Sequence, residues 1–496
     1  MKKIFLAITA ITALVLGGCK KDYLETKPSN GVTQAQLFSK INSAYSAMVG
    51  INKEQFKSGV GGNTGHDNFG QKSFDLMMDL MGNDMVVHSQ GYGWFNNIYN
   101  YTGWQLATDA SVSYNAWYFY YDIIKQANFI IKNIDYVTDA STAQKETLKG
   151  QALGLRAYGY YYLINLFQQT YKGNESKPGV PLYTETSTAG KSRGKVSDVY
   201  TQIVADLTQA ETLLTGKTRN NKGELDVSVV RGLRARTALI MEDWATAATK
   251  ANAARTGYTL MTQGQYTPPN AFSDVTNPEW MWGSDITVEE ATIYASFFSH
   301  MDVRLGGYAA LGTQKKITKA LYDQINSGDI RKQVFTPPTS TSTTNVPYNQ
   351  VKHQSPSTGA DKWAADYLYM RASEMYLIEA EALARQGQDA QARTVLETLV
   401  KARYPAYTAA TYSGAALVSE ILLQRRIELW GEGFSLFDIK RLGTGLNRPS
   451  GSGNHGAPNL NPSVYTTAAA DPRFLMRIPQ KELNNNANMT VADQNP

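Results

Sequence analysis

The sequence predicts a mainly α-helical protein with little β structure. Two observations carry that reading: long stretches in which apolar residues recur every three or four positions, and paired helical segments joined by short polar turns. From Trp117, the positions Trp117, Tyr120, Ile124, Ala127, Ile131 and Ile134 fall on one face of a helix. Leu148, Ala152, Leu155, Tyr162 and Leu166 form a second stripe. Val196 to Leu214 forms a third helix after a loop containing Pro178-Gly179-Val180-Pro181. Gln34 to Met48 is the first helix candidate. Two later stretches, Thr237 to Ala245 and Glu381 to Ala390, resemble each other, and each ends one helix and begins the next. In the second, Ala372, Met375, Ile378 and Ala382 share a face and Gly387 suits a left-handed cap. Asp389 is placed to cap a helix carrying Ala392, Val395 and Leu399.

Such pairs resemble the tetratricopeptide helix pair, with an unrelated helical hairpin open as the alternative. A scaffold of this kind grows as one body, so residues 33–496 are expected to form a single unit. Between the pairs lie segments without sustained period. Asn83 to Trp104 and Trp280 to Gly312 are rich in aromatics, glycine and amides; Thr336 to Pro347 is a Ser/Thr/Pro loop; Gly443 to Pro472 is a long Gly/Asn/Pro excursion. Arg473 to Pro479 reads as one short strand.

The N-terminus reads as a lipoprotein signal. Lys2 and Lys3 precede an apolar run from Ile4 to Leu16, and Leu16-Gly17-Gly18-Cys19 is a small-residue cleavage site ending on the only cysteine of the chain. The run is too short to span a bilayer, which takes about 20 residues. Residues 1–18 are therefore expected to be removed, Cys19 to carry the lipid, and residues 19–32 to act as a tether. Taking Lys2 and Lys3 from the 48 basic residues leaves an excess of only three over the 43 acidic ones. With no Lys/Arg run, that balance argues against nucleic acid as a partner.

Signals for catalysis are weak. His66, His88, His300, His353 and His455 are scattered and never spaced as a helical zinc pair, so no metal or other cofactor is expected. Gly190-Lys191-Ser192 ends like a phosphate loop, but Glu185 stands where the first glycine is required. Asp79 and Asp84 are the nearest thing to an acid/base pair. Arg425, Glu428 and Glu432 follow helical spacing and can form a ladder of opposite charges on one face, which reads as a structural ion network.

Aromatic residues stand out, with 30 Tyr and 8 Trp. Flat rings cover the C–H faces of sugars while amides bond the surrounding hydroxyls. Trp94 and Asn97, flanked by Tyr92 and Trp104, supply that combination, with core packing as the alternative for each ring. Trp280 and Trp282, in an alternating run, read as core.

The segment Arg425-Arg426-Ile427-Glu428-Leu429-Trp430-Gly431-Glu432-Gly433-Phe434-Ser435-Leu436-Phe437-Asp438-Ile439-Lys440-Arg441 resembles the C-terminal signature of the SusD/RagB family of outer-membrane nutrient-binding lipoproteins. Further markers follow in order: Cys19 with Asp22-Tyr23-Leu24, Arg156-Ala157-Tyr158 leading to Gly179-Val180-Pro181-Leu182, Gly328-Asp329-Ile330-Arg331, Ile478-Pro479 and Gln494-Asn495-Pro496. Ser435 departs from the pattern, since many relatives carry arginine there. The resemblance implies a SusD-like fold and a non-enzymatic protein at the cell outer membrane. It also implies capture of a nutrient, most simply an oligosaccharide, for a SusC-like TonB-dependent transporter. It further implies glycan contact by Trp94 and Asn97, with Tyr294, Phe297, Phe298 and Tyr308 as an opposing wall. A lipoprotein glycosidase using acids near Asp79 and Asp84, and a helical-repeat adaptor for envelope assembly, are the competing readings.

Overall fold

Helices form where the three-and-four spacing is sustained. The computed structural model describes residue 38 and residues 40–103, 106–108, 111–456 and 459–496. The longer helices are α1 (Ile41–Glu54), α2 (Gln71–Leu80), α3 (Val112–Asn133), α4 (Thr142–Phe167), α5 (Val196–Leu214), α6 (Val227–Met241), α7 (Trp244–Arg255), α8 (Ala372–Arg385), α9 (Asp389–Arg403), α10 (Gly414–Glu428) and α11 (Ser435–Leu442). Their starts are set by side chains that bond otherwise unpaired backbone N–H groups. Ser111 accepts from Tyr114 N, Ser141 and Gln144 form a reciprocal capping box, and Asp226 and Asp243 cap α6 and α7.

Successive helices pack on one another: α3 on α4, α4 on α5, α5 on α6 and α6 on α7. The stack then resumes after a gap, because α7 packs on α8, which in turn holds α9 and α10. Close approach relies on small residues. At Gly154 of α4 an added Cβ would lie 2.7 Å from Leu225 Cδ2. One apolar core runs from Phe38 to Met489, and a smaller cluster lies among α8, α9 and α10.

The described residues that interrupt the stack, within 55–111 and 256–371, carry α2 and are otherwise largely irregular. Two short antiparallel ribbons tie them in. Strand β1 (Met85–Val87) pairs with a strand at Lys315–Ile317 in the register Met85 to Ile317, so the two excursions meet. Strand Trp280–Ser284 pairs with Tyr367–Arg371. It places both Trp280 and Trp282 in the core at 0% exposure, with their indole N–H groups donating to Ala271 O and Gly223 O.

Four expectations are corrected. The first helix runs to Glu54 rather than ending at Met48. Asp389 does not cap α9; it is the first helical residue, and its carboxylate accepts from Gly414 N at 2.7 Å, fastening α9 to the start of α10. Arg473 to Pro479 is no strand. A 3₁₀ turn at Pro472–Phe474 opens it, and the following N–H groups go to Leu166 O from Met476 and to the Gln494 side chain from Ile478. Gly387, by contrast, takes the expected left-handed conformation, with φ +72°.

The fourth correction concerns the charged ladder. Arg425, Glu428 and Glu432 do not pair with one another; Arg425 reaches α11, while the two glutamates share Arg371 and reach further partners from other elements. Arg425 Nε donates to Asp438 at 2.7 Å. Glu428, fully buried, accepts from Arg371 (2.7 Å), Arg403 (3.0 Å) and Arg331 (3.3 Å). Glu432 accepts from Arg371 and Lys352, and Glu279 from Arg371 and Arg403. Asp329, bonded to Arg331, completes a balanced set of four carboxylates and four cations. Burial opposes ionisation of Glu428, but the three guanidinium groups outweigh it and hold its carboxyl well below the usual range. The network knits the strands around Trp280 and Tyr367 to α9 and α10. Its members are buried and mutually satisfied, an arrangement for structure and not for proton transfer.

Candidate functional site

The meeting of the two irregular segments creates a cluster of rings at the surface. Tyr92 lies between Gly91 and Gly93, both with positive φ, and is 70% exposed. Trp94 follows, half-buried, before a one-turn helix at Asn96–Tyr99. From the other excursion come Tyr294, 46% exposed, and Tyr308, buried beneath them. Between them lies His66, on the Gly-rich turn ahead of α2. Its ring stacks on Trp94 (centroids 5.3 Å, 28°) and on Tyr294 (5.8 Å, 9°). Tyr308 meets Tyr92 edge-on at 5.6 Å and Trp94 edge-on at 6.1 Å.

Polar contacts hold these rings in place. The Tyr308 hydroxyl and His66 Nδ1 share a hydrogen bond of 2.5 Å. Burial pushes the Tyr308 phenol up, so it stays protonated. Below, His300 stacks on Tyr308 at 5.0 Å and 21°. Burial, with Lys315 nearby, lowers His300 to about 3, so its neutral ring donates from Nε2 to His66 O at 2.8 Å. The result is a packed array of rings with Tyr92, Trp94 and Tyr294 towards solvent.

Tyr92, Trp94, Tyr294 and Tyr308 are thus brought together from distant parts of the chain. Asn97 is exposed on the short helix after Trp94, with its amide against Gly103. Phe298 stands apart: it is 1% exposed and packs against Tyr367, as Phe297 does, so neither offers a face to a ligand. The reason is local. Both sit on the one-turn helix Phe297–Met301, capped by Ser296, whose residues all turn inward. Trp104 and the lipid-site Cys19 lie outside the described residues.

His66 was missed by sequence reasoning, which weighed histidines only as metal ligands. A flat side chain in a Gly- and Asn-rich turn was the available signal. Among the described residues, no group of three or more His, Cys, Asp or Glu is placed to hold a metal ion. The acid pair also resolves into structural contacts. Asp79 is 3% exposed and accepts from Gly433 N and from the N–H and hydroxyl of Ser435, while Asp84 is held by Arg426 at 2.6 and 2.8 Å. Ser435 thereby anchors Asp79 where the signature's arginine is absent. Burial raises Asp79 to about 6.

A scaffold of sequentially packed helices interrupted by two excursions that join in a ring cluster defines the SusD-like fold. The chain belongs to the SusD family, whose model matches residues 241–496; a second model, described as starch-binding associating with outer membrane, matches residues 22–223. Among solved structures, a SusD-like carbohydrate binding protein from Bacteroides vulgatus is 26% identical with a TM-score of 0.80, the match covering 92% of this chain and 99% of that one. A SusD superfamily protein from Bacteroides thetaiotaomicron is 23% identical (TM-score 0.77; 92% and 100% covered). Surface glycan-binding protein A from the same organism, in complex with laminarihexaose, is 17% identical (TM-score 0.65; 92% and 99% covered). No curated protein sequence matches the chain.

Proposed function

We propose that this protein is a lipid-anchored outer-membrane glycan-binding protein that performs no chemistry and passes its ligand to a SusC-like TonB-dependent transporter. The observation that carries the reading is the Trp94, His66 and Tyr294 array, with Tyr92 beside it. Rings held by packing and hydrogen bonds lose little entropy when a sugar stacks on them. Support for a glycan comes from the carbohydrate-binding relative at 26% identity. Support for the membrane comes from the family description over residues 22–223 and from the signal pattern ending at Cys19. Asp79 and Asp84, engaged in holding backbone and Arg426, favour binding over hydrolysis.

Trp94→Ala is expected to weaken glycan binding by about 1–3 kcal/mol, roughly 5- to 150-fold in Kd, and Asn97→Ala by less. Because Trp94 is half-buried, calorimetric titration is to be paired with thermal melting. The more exposed Tyr294→Ala separates binding from stability more cleanly. Full affinity in the Trp94→Ala/Tyr294→Ala double variant would overturn the site, and release of reducing ends in proportion to added protein would overturn the non-enzymatic reading. Cys19→Ala should move the protein from the membrane to the soluble fraction and abolish its co-purification with a TonB-dependent barrel from detergent extracts. Retention of that variant after a high-salt wash would contradict the anchor.

A further inference from the structure

We infer that the chain carries a second saccharide-binding pocket, built on an aromatic stripe of α3 and separate from the Trp94 cluster. The cavity has a volume of about 400 Å³, inside the range of roughly 300–1,000 Å³ common for small-molecule sites. None of its lining residues belongs to the first cluster. Tyr114 and Tyr118, like Trp117 and Tyr121, stand four apart, and 114/117 and 118/121 stand three apart, so the four rings share a face of α3. Tyr183 closes one side, meeting Tyr121 edge-on at 5.9 Å. The rest of the lining comes from Pro479 with the short helix Gln480–Asn485 and from the loop at Glu185 to Ser187.

The rings are fixed from behind. Trp117 packs against Phe167 and Tyr121, each at 4.8 Å. The Tyr121 hydroxyl donates to Pro181 O at 2.8 Å, and the Tyr183 hydroxyl accepts from Lys191 N at 3.0 Å. Tyr118 remains 42% exposed, an open face beside a preformed floor. The Gly-rich turn that carries His66 also touches this stripe, since a Cβ at Gly61 would lie 3.1 Å from Tyr114 Cε1 and 3.5 Å from Tyr118 Cγ.

Charge selects the ligand class. The protein's own cations already sit on two of the rings, Lys481 over Tyr114 at 5.3 Å and Lys191 over Tyr183 at 5.5 Å, which leaves little for a cationic ligand to gain. The lining carries three carboxylates, Asp122, Glu185 and Glu482, against two ammonium groups, Lys481 and the Lys125 that pairs with Asp122, so its charges nearly cancel and favour neither an anionic nor a strongly cationic ligand. What fits is a neutral molecule with apolar faces to stack and hydroxyls to bond Thr186, Ser187 and Asn485: an uncharged oligosaccharide.

The test uses the full mature chain with Trp94 and Tyr294 replaced by alanine, titrated calorimetrically with laminarihexaose, maltohexaose, chitohexaose, an oligogalacturonide and a chitosan oligomer. At least one neutral hexamer should still bind saturably. Adding Tyr118→Ala, or Ser187→Trp to fill the mouth while leaving every ring in place, should weaken that binding by about tenfold or more without lowering the melting temperature. Loss of all neutral binding in the double variant, indifference to both added substitutions, or preference for a charged oligomer would overturn the pocket. If the double variant binds as wild type does and loses binding with Tyr118→Ala, the pocket stands and the Trp94 cluster fails as the glycan site.

Discussion

Glu428→Leu is expected to destabilise the protein by about 3–5 kcal/mol or more, because three guanidinium groups lose a buried counter-charge at once. Arg331, Arg371 and Arg403 are each at most 1% exposed, so water cannot replace the carboxylate. Denaturant unfolding should show a lowered midpoint. The Lys319–Asp323 pair, with both side chains about half exposed, should by contrast tolerate Asp323→Asn without measurable change. The same network predicts an acid transition. Glu432 is opposed by burial but held down to about 2 by Arg371 and Lys352. A carboxyl depressed in the folded state contributes stability that is complete above its unfolded value of about 4.5 and is lost as the pH falls towards 2. Glu428→Leu within 1 kcal/mol of wild type would show that the network is not structural.

The second large effect is expected at Gly70. This residue has φ +74° and ψ −149°, a conformation open to glycine and strained for any other residue. A Cβ there would stand 2.3 Å from Gln55 O and 2.7 Å from Gln55 C, backbone atoms that cannot rotate away. The close approach exists because Gln71 N donates to Gln55 O at 2.8 Å, locking the start of α2 to the end of α1. Gly70→Ala should therefore lower stability by about 2–5 kcal/mol, backbone strain and steric overlap together. Displacement of α2 would carry the turn bearing His66 with it, so glycan affinity should fall in the same variant. A loss of stability with unchanged affinity would separate that turn from the binding site.

How far the site was legible can be judged from particular residues. Trp94 stood out because a large ring in a glycine-rich segment has no helical stripe to join, whereas Tyr294 was implied by the family resemblance. Phe298 stood in the same kind of segment, yet it faces inward, since a one-turn helix too short to show a period decides its direction. His66 was easily missed, because its turn gave only a weak signal and its role comes from two rings that arrive from residues 94 and 294. The α3 stripe of Tyr114, Tyr118 and Tyr121 was overlooked beside the buried stripe of Tyr120, Ile124 and Ala127, although both follow the same spacing. Which stripe meets a neighbouring helix depends on where α4 packs.

By itself the sequence determined the helical stripes of α3, α4, α5, α8 and α9, the cap at Gly387, the core positions of Trp280 and Trp282, and the family. All of these follow from local spacing, backbone preference or an ordered set of short motifs. The partners of Arg425, Glu428 and Glu432, the inward turn of Phe298 and the assembly of the ring cluster were decided by tertiary structure alone. Charges and rings have no fixed range along the chain. A guanidinium takes whichever carboxylate the packed helices bring within 3 Å or so, and a ring becomes a binding surface only when the rest of the fold leaves its face uncovered.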